Sequence, residues 1–171
     1  MGVGALVMVV SLICVQVLAP GPSERATMIQ VRAADGTAAR LLALGTEHSP
    51  TFRSLVDRIE DSDLVVYVLT DRFLPQAGKM QIVHATPRWR YVRVTVRAPG
   101  LDPERDVVAW LAHELQHVAE LADAPQVRDD GTLTFHYHNV GWVVGRFGPL
   151  AFETEEADDI KWLVLDEMYG G

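Results

Sequence analysis

The chain has 171 residues, a formal net charge of −8 and 22% charged residues. That length suits one domain with a sizeable hydrophobic core. Because the charge balance is acidic, the composition gives no general reason to expect a nucleic acid as a partner. The sequence contains no internal repeat, no low-complexity tract and no long block of like charges that would indicate a tail. We therefore expect a single domain over residues 27–171, preceded by a short segment of different composition.

That N-terminal segment is strongly apolar. Residues 1–19 contain no charged side chain and consist mostly of Val, Leu, Ala and Met, which is typical of a secretory signal peptide or a membrane anchor. We predict that residues 1–26 direct export, so that the protein is periplasmic, secreted or tethered to the membrane through residues 1–19. A buried N-terminal helix, or a cytoplasmic protein that starts at Met28, is the alternative. Cys14, the single cysteine, lies in this segment, so the domain itself has no disulfide.

The first half of the domain alternates between helix and strand signals. Ser49 and Pro50 are a strong helix start, as N-cap and first helical residue. Residues 64–70 are β-branched and nearly all apolar, which predicts a central strand. Residues 89–97 alternate between a Val face and an Arg face, which predicts a strand with one wet side or an edge strand. The full prediction is a strand at 29–33, helices at 37–43 (ending at Gly45) and 50–60, and strands at 64–70, 80–85 and 89–97.

The second half is mainly helical. Asp102 as N-cap and Pro103 at the first helical position open a helix that Pro125 closes. Residues 131–140 alternate as a strand does and are predicted as strand or loop, 141–149 as a loop or hairpin, and 152–168 as a final helix. We therefore predict an α+β fold, with a small mixed or antiparallel sheet of three or four strands packed against the motif helix and a C-terminal helix.

The helix that begins near residue 103 carries the motif His113-Glu114-Leu115-Gln116-His117. Four residues advance a helix by slightly more than one turn, so the two histidines share one face and can bind one tetrahedral zinc ion. Glu114 is then placed to hold and deprotonate water at the metal. The alternative is an ordinary amphipathic helix that carries these polar residues by chance. The motif favours a zinc peptidase with one Zn²⁺ per chain and Glu114 as general base.

A catalytic zinc site needs a third protein ligand, and no further histidine follows His117 at the required spacing. On the predicted last helix, Glu153 shares a stripe with Ala157, Ile160 and Val164, which is otherwise apolar and therefore inward. A carboxylate that faces the core needs a strong partner such as a metal ion. We predict Glu153 as the third ligand and Glu156 as the second choice. The same reasoning predicts that the last helix docks its first turn against the middle of the motif helix.

A second set of polar residues offers further roles. His136 and His138 would share one face of a strand and could bind a metal, or could be ordinary surface residues. Tyr137, or one of these histidines, could stabilise an oxyanion. Glu120 lies three residues after His117, too far along the helix to join both histidines as a ligand. We expect it to support the site through a hydrogen bond or an arginine contact.

The run of residues 111–120, followed by Phe152-Glu153-Thr154 and Ala157, resembles a family of uncharacterised bacterial proteins. Their pattern is similar to AHELQH-x-x-E and a later FET-x-x-A. Residues 51–56 and 62–68 also resemble that family, so the likeness spans most of residues 50–160. In broader terms the chain looks like a minimal gluzincin, a zinc peptidase whose third ligand is a glutamate on a later helix. The resemblance implies His113, His117 and Glu153 as ligands and Glu114 as base.

These observations predict hydrolysis of a peptide or protein substrate, held as an extended strand along residues 89–97. Two alternatives belong to other classes. One is a non-catalytic, zinc-stabilised binding or scaffold domain of the cell envelope. The other is a membrane-tethered partner-binding protein whose histidines are surface residues, which predicts no stoichiometric metal.

Overall fold

The domain is built on a mixed four-stranded β-sheet. The computed structural model describes residues 29–98, 100, 102–144 and 151–170, and the predicted export segment, residues 1–26, lies outside these ranges. The elements are β1 (Val31–Ala33), α1 (Gly36–His48), α2 (Pro50–Glu60), β2 (Leu64–Thr70), β3 (Gly78–Ala85), β4 (Arg90–Val96), α3 (Glu104–Ala122), α4 (Asp130–Val140), β5 (Trp142–Val144), β6 (Ala151–Glu153) and α5 (Glu155–Tyr169). The predicted α+β class, with a small sheet packed against the motif helix and a C-terminal helix, is confirmed.

The order of strands in the sheet is β1-β2-β4-β3. β1, β2 and β4 run parallel, and β3 pairs antiparallel with β4. The Val face of β4 is buried while Arg93 on the opposite face is exposed, so the prediction of one wet side is confirmed. The prediction of an edge position for β4 is wrong, because both of its edges are hydrogen-bonded. Among the described residues the edge strand beside β4 is β3.

Two N-caps begin the first helices. The Asp35 side chain accepts a hydrogen bond from the Ala38 backbone N–H at 2.8 Å, and Ser49 accepts one from Phe52 at 2.9 Å. The prediction that α1 ends at Gly45 is wrong, because the helix continues to His48. Gly45 instead makes room for a neighbour: a Cβ built there would lie 2.8 Å from the Phe52 ring. The glycine therefore marks a packing contact of α2 on α1.

The motif helix α3 is buried on most of its circumference. Thirteen of its 19 residues are buried, because it packs against the sheet on one side and against α5 on another. Its N-cap is Pro103, without a side-chain cap, one residue later than the predicted Asp102. The predicted docking of the last helix on α3 is confirmed. No helix in the described ranges has both the length and the apolar character needed to cross a membrane.

A fully buried arginine ties the end of α3 to the sheet. The Arg90 side chain is 0% exposed. Its Nε donates to Asp63 Oδ2 at 2.9 Å, and its Nη1 donates to the carbonyls of Ala124 and Val127 at 2.9 and 3.2 Å. Because every buried donor finds an acceptor, the charge is compensated. This cluster anchors the chain just after α3.

Residues 130–140 form a helix, so their prediction as strand or loop is wrong. Asp129 begins α4 with a capping box: its side chain accepts from the Thr132 backbone N–H, and Thr132 Oγ1 accepts from the Asp129 backbone N–H. This local capping outweighs the alternating pattern. Tyr137 is the buried residue of α4 among those described. His136 and His138 therefore do not share a face, because residues two apart on a helix point about 200° apart.

The last helix also starts later than predicted. Thr154 is the N-cap of α5, and its hydroxyl accepts a hydrogen bond from the Ala157 backbone N–H at 3.2 Å. Phe152 and Glu153 belong to the short strand β6, which pairs antiparallel with β5. The two strands form an antiparallel pair, whereas residues 145–149 of the predicted loop or hairpin lie outside the described residues. Glu153 therefore does not belong to the helical stripe of Ala157, Ile160 and Val164.

Candidate metal centre

His113 and His117 lie side by side within the fold. They are only 2% and 5% exposed, and their ring centroids are 4.9 Å apart. The helical spacing of the motif produces this arrangement directly, since residues four apart lie one above the other on a helix. Two imidazoles are therefore held on one face of α3, away from bulk water.

Glu153 approaches both histidines from β6. Its Oε2 lies 2.8 Å from His113 Nε2 and 3.8 Å from His117 Nε2. The potential ligand atoms of the three residues all lie within 4.8 Å of one another. Glu156, the second choice, is exposed on α5 and outside this group. The structure thus brings together the two histidines and Glu153, although Glu153 arrives from a strand rather than from the predicted helix.

The chemistry of these atoms fits a cation. Oε2 of Glu153 is buried and, within the described residues, has no hydrogen-bond partner of acceptable geometry. Burial opposes ionisation of this carboxyl, but the contacts with His113 and His117 outweigh it and lower the pKa of Glu153 to about 2. An anionic oxygen thus faces two imidazole nitrogens without a hydrogen bond. This group could hold a metal ion.

Glu120 contacts the His117 ring at Nδ1, on the side away from Glu153. Its Oε2 accepts hydrogen bonds from His117 Nδ1 at 3.0 Å and from the Tyr137 hydroxyl at 3.1 Å, and its Oε1 accepts one from Thr154 Oγ1 at 2.7 Å. The Tyr137 hydroxyl is also 3.2 Å from the carbonyl of His117. A carboxylate on Nδ1 directs Nε2 toward the site. The supporting role predicted for Glu120 fits this geometry, and the bonds of Tyr137 favour the same role over that of an oxyanion donor.

The charges around His117 reinforce one another in the metal-free protein. Burial lowers the pKa of His117, but the hydrogen bond with Glu120 and the nearby carboxylate of Glu153 outweigh it and raise the pKa to about 9. Burial raises the pKa of Glu120, but its bond with His117 leaves that pKa lowered overall. Burial and the charge of Glu120 raise the pKa of Tyr137, so its hydroxyl remains a donor. A cation at Nε2 must therefore displace a proton, which makes metal binding pH-dependent.

His113, unlike His117, has no carboxylate hydrogen-bonded to its Nδ1 among the described residues. Its Nδ1 is buried without a hydrogen-bond partner among the described residues. The nearest carboxylate oxygen on α5 is Oδ1 of Asp158, 3.8 Å away, which already pairs with Lys161 at 2.5 Å. Trp110 packs edge-on against the imidazole at a centroid distance of 5.6 Å. Asp158 and Trp110 thus neighbour His113 without a direct hydrogen bond to it.

Glu114 lies beside the two histidines in a poorly hydrated position. Its residue is 7% exposed, and burial raises its pKa to about 7, although the charges of His117 and His113 oppose that rise. A carboxylate with a pKa near 7 is suited to accept and return a proton at neutral pH. The first residue of the edge strand β3, Gly78, lies directly against this side chain.

The remaining predicted site residues lie at the margin. His136 is half-buried and His138 is exposed. Their rings contact Tyr137 and Phe152 at centroid distances of 5.4 and 5.0 Å, and neither belongs to the group that could hold a metal ion. On a helix the two imidazoles point in different directions, so they cannot bind one metal ion together as they could on a strand.

Two residues of the candidate site, Thr154 and Gly78, are absent from the sequence-based prediction. Thr154 is an N-cap ahead of an acidic first turn, which is a recognisable helix start that would have moved Glu153 off the helix. Gly78 has no distinguishing signal in the sequence, because its importance comes from a contact with a distant residue.

Comparison of the chain with family models, with curated proteins and with solved structures finds no match.

Proposed function

We propose that the protein is a zinc-dependent peptidase of the gluzincin type. The observation that carries the proposal is the convergence of His113, His117 and Glu153, with Glu114 next to them. Two imidazoles and one carboxylate are the donor set of several catalytic zinc sites, which leave a fourth position open. Nitrogen and carboxylate donors also suit other transition metals, so the choice of zinc rests on the motif.

Each residue has a defined task in this proposal. His113, His117 and Glu153 would hold the ion, and Glu120 keeps the His117 ring oriented through Nδ1. A zinc ion, when bound, supplies a Lewis acid that polarises a carbonyl and makes water more acidic. Glu114 accepts the proton of the attacking water and passes it to the leaving amine, for which its raised pKa is suited.

The edge strand β3 supports the choice of a peptide as substrate. Within the described residues β3 pairs only with β4, so its other edge can add an extended peptide by main-chain hydrogen bonds. This replaces residues 89–97 as the peptide-binding strand, because β4 is internal. Since Gly78 at the start of β3 lies against Glu114, a peptide on this edge would run close to the proposed base.

Zinc content separates the metal site from its rivals. Wild-type protein is expected to bind one zinc ion per chain, and His113→Ala and Glu153→Ala are expected to lose it. Glu156→Ala is the matched control, because Glu156 is an exposed acid only three residues from Glu153, and it should retain the metal. Absence of stoichiometric zinc in the wild type, or equal loss in the control, would contradict the site.

Hydrolysis separates the peptidase from a scaffold. The burial of both histidines also suits a zinc ion that only stabilises a binding domain of the cell envelope, which is the second candidate. Against a mixture of fluorescence-quenched peptides, Glu114→Gln is expected to keep zinc and lose hydrolysis. Zinc-loaded wild-type protein that cleaves no peptide, or a Glu114→Gln variant as active as wild type, favours the scaffold.

A further inference from the structure

Two glycines touch the proposed site at points where a side chain would not fit. A Cβ built on Gly78 would lie 2.4 Å from Oε1 and 2.5 Å from Cγ of Glu114. A Cβ built on Gly141 would lie 2.4 Å from the carbonyl oxygen of Glu153. Both distances are far inside van der Waals contact. One glycine thus meets the proposed base, and the other meets the backbone of the third metal-binding residue.

We propose that Gly78 and Gly141 are positioning residues, Gly78 for the carboxylate of Glu114 and Gly141 for the strand that presents Glu153. The proposal rests on the proposed function, because it assigns these two acids to proton transfer and to metal binding. The proposal predicts different effects for the two substitutions. Substitution of Gly78 removes hydrolysis and leaves metal binding, whereas substitution of Gly141 removes metal binding.

The three atoms nearest to a Cβ built on Gly78 all belong to the side chain of Glu114. Rotation of that side chain relieves the clash, so the backbone of α3 and the two histidines need not move. The carboxylate, however, leaves the position in which it faces His113 and His117. A displacement of about 1 Å in a reacting group costs about 100-fold in rate. Because the new methyl group points at Glu114 rather than along the free edge of β3, peptide binding on that edge is preserved.

The contact of Gly141 involves a backbone atom, so no rotamer change relieves it. Gly141 precedes Trp142, which pairs with Glu153 across the β5–β6 hairpin. Its backbone is extended, with φ −127° and ψ −169°, a conformation open to any residue. The requirement is therefore for space and not for glycine's conformational freedom. A methyl group here forces β6 away from β5 and draws Glu153 away from the histidines.

The experiment compares Gly78→Ala, Gly141→Ala and the matched control Gly36→Ala. Gly36 lies at the start of α1, with nothing within 4 Å of a built Cβ. Zinc dissociation constants come from competition with a chromophoric chelator, and kcat and KM from quenched peptides. Gly78→Ala is expected to keep its zinc affinity and KM while kcat falls about 100-fold. Gly141→Ala is expected to bind zinc at least about 10-fold more weakly, and Gly36→Ala to match wild type.

A stability comparison tests the Gly78 contact even if the wild type hydrolyses no peptide. Gly78→Ala is expected to lower the Tm of the protein by a few degrees, and to have no effect when Glu114 is already Ala. An equal Tm change in both backgrounds overturns the Gly78 assignment, and unchanged zinc affinity overturns the Gly141 assignment. A Gly141→Ala chain that does not fold also contradicts the proposal, because none of the described hairpin residues belongs to the hydrophobic core. If wild type binds zinc but cleaves nothing, the peptidase function fails while these contacts remain testable.

Discussion

The buried carboxylate of Glu114 makes the stability of the metal-free protein depend on pH. Burial raises the pKa of this group from its ordinary value of 4.5 to about 7. A group whose pKa is higher in the folded state contributes its stability below its unfolded pKa and loses it as the pH rises through the folded pKa. Glu114 therefore costs stability progressively between pH 4.5 and about 7. Glu114→Gln removes this titration while it keeps the size of the side chain.

The size of the effect follows from the two pKa values. With 4.5 in the unfolded chain and about 7 in the folded one, the linkage relation gives a loss of about 2.5 kcal/mol between pH 5 and pH 8. For a domain of this size that loss corresponds to roughly 5–10 °C in Tm. The wild type should lose this much more stability than Glu114→Gln over the same interval. The hydrogen bond with Glu120, which is the main cause that raises the pKa of His117 to about 9, is present in both proteins.

The assay is urea unfolding of protein treated with EDTA, at pH 5 and pH 8, for wild type and Glu114→Gln. Glu155→Gln is the control, because Glu155 is an exposed acid in the first turn of α5, and it should follow the wild type. If wild type and Glu114→Gln lose the same stability between the two pH values, the carboxyl of Glu114 titrates normally. The raised pKa, and the argument for Glu114 as a base matched to neutral pH, would then be refuted.

Three further predictions concern the groups that support the site. Glu120→Gln should weaken zinc binding about 10- to 100-fold in chelator competition, whereas Glu155→Gln should leave it unchanged; equal affinities would show that Glu120 does not orient the histidine. Tyr137→Phe removes one buried hydroxyl, so it should lower the free energy of unfolding by about 1–2 kcal/mol in urea while zinc content is kept. Arg90→Met should destabilise by about 3–5 kcal/mol, because it breaks the buried pair with Asp63, and the double variant with Asp63→Asn should lose less than the sum of the single changes. Strict additivity would contradict that pairing.

Local signals in the sequence predicted the elements that depend on local chemistry. Ser49 and Pro50 marked the start of α2 correctly, because capping is satisfied within one turn. The apolar run of β2 predicted a central strand, which it is. Asp129 and Thr132 form a capping box that the alternating pattern of the following residues concealed, and α4 was missed for that reason. Here the N-cap, and not the periodicity, determines the element.

Position within the sheet was beyond the reach of local signals. The alternation in β4 described its two faces correctly, but the edge of a strand is a property of its neighbours. β4 lies between β2 and β3 because of pairings between residues far apart in sequence. The free edge, on which we propose that a peptide binds, therefore belongs to β3 and not to β4.

The sequence predicts the right residue at Glu153 but the wrong secondary structure for it. It was predicted as the third ligand from a helical stripe, and it does join His113 and His117, yet it lies on β6 just before the N-cap of α5. Its carboxylate lies against the two buried histidines, as expected for an inward-facing acid that needs a partner. The backbone that presents it is a hairpin, which the helical pattern could not indicate.

The pairing of His113 with His117, and the place of Glu114 beside them, follow from the spacing of these residues in the chain. Helix geometry is set by each residue's own backbone, so a spacing of four always returns to one face. Tertiary packing determines which backbone presents Glu153 to the two histidines and which strand offers a free edge. It also determines that Gly78 and Gly141 lie where a Cβ would clash. These are contacts between segments distant in sequence, and they arise from packing, to which no local pattern refers.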